Sequence, residues 1–135
     1  MTDAELATLL AAMPFSVACG IELTAAEPDE VRGRMPWSAD RCTSGGALHG
    51  GAVMALADSL GGICAYLNLP DGAQTSTIES KTNFFRGVRD GVLYGTSVPL
   101  HVGRTTIAVQ TDLRDKRGKR VALTTQTQAV LHAPV

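Results

Sequence analysis

The stretch His49-Gly50-Gly51-Ala52-Val53-Met54-Ala55-Leu56-Ala57-Asp58 carries two chemical tools on one rod: a glycine pair opens an apolar helix, and a single carboxylate follows eight residues after Gly50. Unpaired N–H groups at a helix start, with the positive end of its dipole, suit a developing negative oxygen. Asp58 offers a base or a nucleophile. A carboxylate in a buried apolar helix is costly unless it is paired, hydrogen-bonded, protonated or facing a cavity. Desolvation raises its pKa, and carboxylates perturbed in this way concentrate at functional sites. The competing reading is a structural aspartate held by a nearby loop or arginine, and composition does not choose between the two.

Gly50 and Gly51 stand where Ser, Thr, Asp or Asn would be favoured at a helix start, so something must approach closely there: a substrate carbonyl oxygen, or simply another strand. Spacing adds a constraint, because eight residues of helix rise about 12 Å. One small carbonyl does not easily touch both Gly50 and Asp58. If both serve one reaction centre, the simplest arrangement takes Gly50 from one chain and Asp58 from another across an isologous dimer interface. His49, at the loop–helix junction, reads as a residue that shapes the turn rather than as a general base. His101 and His132 lack paired-ligand spacing, so no metal site is expected. Neither G-x-S-x-G nor a phosphate-binding G-x-x-x-x-G-K-[ST] motif occurs.

These residues need a scaffold, and the pattern predicts an α+β one. Residues 3–12 read as a short amphipathic helix, with Leu6, Leu9 and Leu10 on one face, stopped near Pro14 and serving as a lid or flank. Strand candidates follow at 17–26 and 30–36, then a Ser/Gly-rich loop at 43–46. From Gly50 to about Leu67 the chain is apolar nearly all round, which predicts a fully buried helix ending before Pro70-Asp71-Gly72. Period-two segments at 75–85, 92–101, 105–114 and 120–131, separated by short turns, predict antiparallel hairpins. Val92, Tyr94, Thr96, Val98 and Leu100 share one face, as do Ile107, Val109 and Leu113, and less regularly Val121, Leu123, Ala129 and Leu131. Pro99 inside a strand requires an edge or a bulge.

At 135 residues the chain is one domain, 1–135, and its 44% hydrophobic and 19% charged content is that of a folded protein without a membrane-spanning segment. The acidic N-terminus lacks the basic region of a signal peptide, which reads as cytoplasmic. Cys19, Cys42 and Cys64 are odd in number and form no C-x-x-C pair, so buried or half-buried thiols are expected. The net charge of −1 hides an asymmetry. Residues 1–80 hold 3 Lys/Arg against 10 Asp/Glu, net −7; residues 81–135 hold 9 against 3, net +6. Six aromatic residues, not interleaved with the basic ones, argue against nucleic acid. A small polyanion such as a nucleotide phosphate fits better, unless the two parts neutralise each other in the fold.

The chain resembles the hotdog-fold acyl-CoA thioesterases, and within them the phenylacetate-pathway (PaaI-like) subgroup. The resemblance rests on Gly46-Ala47-Leu48-His49-Gly50-Gly51, on Asp58 nine residues after the histidine, on Thr82-Asn83-Phe84-Phe85-Arg86 and on Val102-Gly103-Arg104-Thr105. It implies a long central helix wrapped by an antiparallel sheet of five to six strands, dimerised edge to edge and commonly a homotetramer, with sites at the dimer interface. It further implies that Gly50 N–H holds the thioester oxygen, that Asp58 acts as base or nucleophile, and that Thr77 orients the carboxylate or water. By the same resemblance Gly51, Phe84, Arg86 and the run His101, Val102, Gly103, Arg104 and Thr105 contact the coenzyme A thioester. The family frequently has asparagine six residues before the histidine; here that residue is Thr43. The expected reaction is hydrolysis of an acyl- or aroyl-CoA thioester without a cofactor. Two alternatives are a non-catalytic acyl-CoA sensor on the same fold and a hotdog hydratase. A sensor needs an output domain, and a hydratase needs a histidine beside an acid.

Overall fold

The computed structural model describes residues 1–134. In chain order the elements are α1 (Asp3–Ala11), α2 (Pro14–Ala18), β1 (Glu22–Glu27), β2 (Glu30–Pro36), a 3-10 turn (Ala39–Arg41), α3 (Gly50–Leu67), β3 (Gln74–Phe84), β4 (Val92–Val102), β5 (Thr106–Arg114) and β6 (Arg120–Leu131). All strand pairings are antiparallel, in the order β1-β2-β4-β5-β6-β3, and the sheet packs against α3. This is the expected long helix with its six-stranded sheet.

The contact between helix and sheet is set by a glycine pair. Gly33 and Gly95 are register partners on β2 and β4. A Cβ on either would stand 2.6 Å from a methyl of Leu60. Two missing side chains thus make the groove that receives Leu60, which is fully buried. Leu60→Ala is expected to lower stability by about 2–5 kcal/mol, because the glycines lining the groove have no side chains with which to refill it. A denaturant midpoint series checks this, and a loss below ~1 kcal/mol would show that the site collapses.

Three expectations change. First, α3 is not buried all round. Val53, Leu56, Ala57, Leu60, Ile63 and Cys64 face the sheet, whereas Gly51, Met54, Asp58 and Tyr66 form a stripe open to the outside, because the sheet covers one side of the helix only. Second, β3 does not form a hairpin with β4. Segment 85–91 carries the chain away beneath the start of α3, with Leu48 N–H bonded to Val88 O at 2.8 Å, and β3 instead pairs with β6 as an outer strand. Third, although α1 stops before Pro14 as expected, Pro14 begins a second short helix, and residues 17–21 are not strand. Proline suits a first helical position because its missing N–H would be unpaired there anyway. Ser16 ties α2 to the core by donating to Ser59 Oγ at 2.7 Å, while Ser59 donates to Ala55 O.

The strand faces also divide differently on two strands. On β5 the inward face is Ile107, Val109 and Leu113, as the alternation implies. On β4 it is Leu93, Gly95 and Ser97, and on β6 Ala122, Thr124, Gln126, Gln128 and Val130, the opposite of the more apolar-looking rows. The buried hydroxyls are paired: Ser97 with Thr111, and Thr124 with Thr82 at 2.8 Å. Pro99 satisfies both of its conditions, since β2 stops at Val31 opposite Ser97 and the β4–β5 register shifts between Pro99 and His101. Cys19 and Cys42 are half-buried and Cys64 is buried, its thiol pushed up to about 11 chiefly by burial and also by the charge of Asp29.

Candidate functional site

At the start of α3 the first-turn amides are accounted for one by one. His49 is the cap residue, and its Nδ1 accepts from Gly51 N–H at 2.8 Å. Ala52 and Val53 donate to His49 O at 2.9 and 3.1 Å. Among the described residues, Gly50 N–H is the one first-turn amide without a hydrogen-bond partner. It therefore retains the donor capacity and partial positive charge of a helix N-terminus. The two glycines exist for different reasons. A Cβ at residue 51 would lie 2.9 Å from His49 Nδ1 and displace the capping ring, whereas a Cβ at residue 50 would meet only the Phe84 ring, at 3.5 Å. Backbone bonds His49 N–H to Arg41 O (2.9 Å) and Thr43 N–H to Ala47 O (2.9 Å) hold the loop that presents them.

Asp58 lies two turns further along the open stripe of α3, at the rim of a cleft of about 400 Å3. One flank of its side chain faces that cleft. The other packs against β6, where Gln126 Nε2 donates to Asp58 Oδ1 at 2.8 Å. Burial on the packed flank pushes the carboxyl above the ordinary aspartate range, and the Gln126 bond partly opposes the rise. Thr77 lines the same cleft, its hydroxyl accepting from Gln128 Nε2 at 2.8 Å. Leu9, Ala12 and Met13 from the N-terminal segment close the apolar wall, together with Ile63 and Tyr66, so α1 and the turn after it flank the site.

The residues singled out from the sequence fall into two groups within the chain. Gly50, Gly51, His49 and Phe84 gather at the start of α3, and Arg86 follows in the segment after β3. Asp58 stands level with the middle of β3 and Thr77 toward its opposite end, where the β4–β5 turn formed by Gly103, Arg104 and Thr105 also lies, with His101 and Val102 leading into it; Val130 N–H binds Thr105 O at 2.9 Å and His132 Nε2 pairs with Arg104 O at 2.8 Å. A Cβ on Gly103 would stand 2.7 Å from His101 Nε2, so the glycine lets the imidazole fold over the turn. Arg86 and Arg104 are thus at opposite ends of one sheet. Arg86 shares a cleft of about 260 Å3 with Arg89, Lys116 and Arg117, against Asp90 and Asp115. Every side-chain ion pair among the described residues joins partners within the acidic part or within the basic part, so the two parts do not neutralise each other by direct pairing.

Sequence reading missed Gln126, Gln128 and Gly61. A Cβ at residue 61 would stand 2.0 Å from Gln126 Oε1, so that glycine is the niche of the glutamine amide. The available signal was the row Thr124, Gln126, Gln128 at every second position of β6. A polar row of that kind marks an inward face only if a partner for it is known.

Comparison with known proteins agrees with this fold. The family model described as "Thioesterase superfamily" matches residues 45–122, from the loop before His49 into β6. A proofreading thioesterase, EntH, of Cronobacter turicensis is 33% identical over 112 residues, covering 83% of this chain and 82% of that protein. A 1,4-dihydroxy-2-naphthoyl-CoA hydrolase of Escherichia coli is 30% identical over 103 residues, 76% of each chain. The crystal structure of a thioesterase from Haemophilus influenzae superposes with a TM-score of 0.90 at 27% identity, covering 98% of this chain and 92% of that one.

Proposed function

The chain belongs to the thioesterase superfamily and is a thioester hydrolase; from that premise we propose that it hydrolyses an acyl- or aroyl-CoA thioester to the free acid and coenzyme A at a site shared by two copies, as a single domain over 1–135. The observation that carries this reading is the unpartnered Gly50 amide on the same rod as a carboxylate whose pKa is raised. Gly50 N–H binds the carbonyl oxygen and stabilises the oxyanion. Asp58 of the other copy activates water or attacks directly, with Thr77 orienting it. His49 holds the turn. We place the chain in the PaaI-like subgroup on the order of its motifs.

The open edge of β3 supports a dimer. Among the described residues its outer side has no strand neighbour, and Ile78, Phe84 and Phe85 are exposed along or just beyond it. Long unpaired edges invite pairing with a second chain. Asp58 meets Gln126, which is the register partner of Ser80, while Gly50 stands at Phe84. Those levels are four strand residues apart, roughly 13 Å. Antiparallel pairing of β3 with a second β3 about a two-fold axis near Thr82 therefore brings Asp58 of one copy level with Gly50 of the other. The same operation sets the Arg104 turn against the Arg86 cluster, giving the coenzyme A phosphates cations from both copies. Back-to-back association of two such dimers would make the tetramer.

Release of free thiol from benzoyl-, hexanoyl- and palmitoyl-CoA tests the reading, with the same acids on N-acetylcysteamine as the control. Turnover of at least one CoA ester is expected, with KM for the truncated thioester at least ~10-fold higher because the phosphate contacts are gone. Absence of thiol release from all three CoA esters would end this reading.

A further inference from the structure

The inward face of β6 presents two glutamines, Gln126 at 1% and Gln128 at 2% exposure, and each grips one side chain of the cleft. Gln126 Nε2 donates to Asp58 Oδ1 at 2.8 Å. Gln128 Nε2 donates to Thr77 Oγ1 at 2.8 Å, and its Oε1 lies 3.0 Å from Thr75 Oγ1, whose one proton is shared with Ala129 O at 2.8 Å. Packing does not explain the first of them. Gln126 Oε1 is buried without a hydrogen-bond partner, a condition that weakens a fold. Helix α3 also carries a glycine at 61, in its interior, to make room for that oxygen. Glycine inside a helix is unfavourable relative to alanine. Two choices that each lower stability therefore converge on one bond to Asp58, and the trade of stability for a held site is a mark of function.

We propose that Gln126 and Gln128 are positioning residues that set the hydrogen-bond polarity of the cleft: Gln126 holds Asp58 Oδ1 as an acceptor and leaves Oδ2 to act, and Gln128 turns the Thr77 proton outward. The direction of the second relay follows from donor chemistry. Gln128 Nε2 is the atom that lies on Thr77 Oγ1, and an amide N–H donates, so the Thr77 hydrogen is left to bond the carboxylate, the water or the substrate. Both assignments rest on the roles given above to Asp58 and Thr77. The neighbours of Asp58 leave Gln126 as its one strong partner. Among the described residues, from α1, α3, β3 and β6, no other charged side chain lines its cleft, and Tyr66 is the only other titratable one.

Gln126→Met and Gln128→Met keep side-chain length while removing the amide, and steady-state kinetics with benzoyl-CoA across pH, together with thermal melting, separate their roles. In Gln126→Met the bond that favours the carboxylate is lost, so the acid limb of kcat/KM is expected to move up by about one pH unit and neutral-pH kcat to fall about ten-fold. Its Tm should be unchanged or higher, since an unpartnered buried carbonyl has been removed. Gln128→Met should lower kcat about ten-fold with the acid limb unmoved. Gly61→Ala, which displaces the Gln126 amide while leaving Gln126 and Asp58 themselves chemically intact, should move the limb in the same direction as Gln126→Met. A parental acid limb in both Gln126→Met and Gly61→Ala overturns the proposal, as does activity loss that merely follows a falling Tm. Asp58→Asn run alongside separates the two levels of inference. If it retains parental turnover, both the hydrolytic role of Asp58 and its positioning fall. If it is inactive while the glutamine variants behave as the parent, only the positioning falls.

Discussion

Asp58→Asn is expected to lower kcat/KM for CoA thioesters by at least about 10³-fold while leaving the fold intact or slightly more stable. The loss follows from chemistry: an amide is neither a base nor a nucleophile at neutral pH, and removing the group that activates or delivers the attacking oxygen takes out an interaction made in the transition state. The intact fold follows from geometry, because Asn is isosteric and its Oδ1 can still accept from Gln126 Nε2, which now stands 2.8 Å from Asp58 Oδ1. The sign of the stability change comes from the raised pKa, whose first cause is burial. A carboxyl that binds its proton more tightly folded than unfolded contributes stability that is fully present below the unfolded pKa and is lost as pH rises through the folded one. Asn has no such loss, so the Tm of the variant relative to the parent should rise from acid to neutral pH. The parent's activity should fall in the opposite sense, declining as acid protonates Asp58. Thiol release and melting curves from pH 4 to 8 check both. Near-parental turnover in Asp58→Asn would remove Asp58 from the chemistry.

Gly50→Pro deletes one hydrogen-bond donor and almost nothing else. Proline is tolerated at a first helical position, and His49 before it already has φ −59° and ψ 136°, the extended backbone that a residue preceding proline adopts. The space at residue 50 meets only the Phe84 ring at ordinary contact distance. Loss of an oxyanion donor lowers kcat by about 10²–10³-fold, and that is the expected size here. Mixing then tests whether the site is shared. In a dimer of one Gly50→Pro chain and one Asp58→Asn chain, one site pairs the intact glycine with the intact aspartate and the other pairs the two defects. Co-refolding two nearly inactive variants in equal amounts should therefore restore about a quarter of parental activity, since half of the dimers are mixed and each holds one working site. If each chain contained its own complete site, mixing would restore nothing. Size-exclusion chromatography on the same samples reports whether the dimer forms.

Much of this was legible in the sequence. The ten residues from His49 to Asp58 determined a helix start with donor capacity, a carboxylate two turns on and a separation that no single small carbonyl bridges easily, because helical rise is fixed by backbone geometry alone. The period-two segments determined the strands at 92–102, 106–114 and 120–131 to within a residue or so. Tertiary structure decided what alternation leaves open. A strand pattern defines two faces without saying which turns inward, and on β6 the inward one carries Thr124, Gln126 and Gln128, whose burial is tolerable only because Thr82, Asp58 and Thr77 lie across from them. It also decided that β3 sits at the edge beside β6, since pairing order depends on where a connection is led, and segment 85–91 is drawn under α3 by bonds to distant residues. That same choice leaves one stripe of α3 uncovered, so that Asp58 stands at an open rim with its carboxyl held from behind: partners for a buried polar row come from sequence-distant strands, and only the assembled sheet brings them within hydrogen-bond reach.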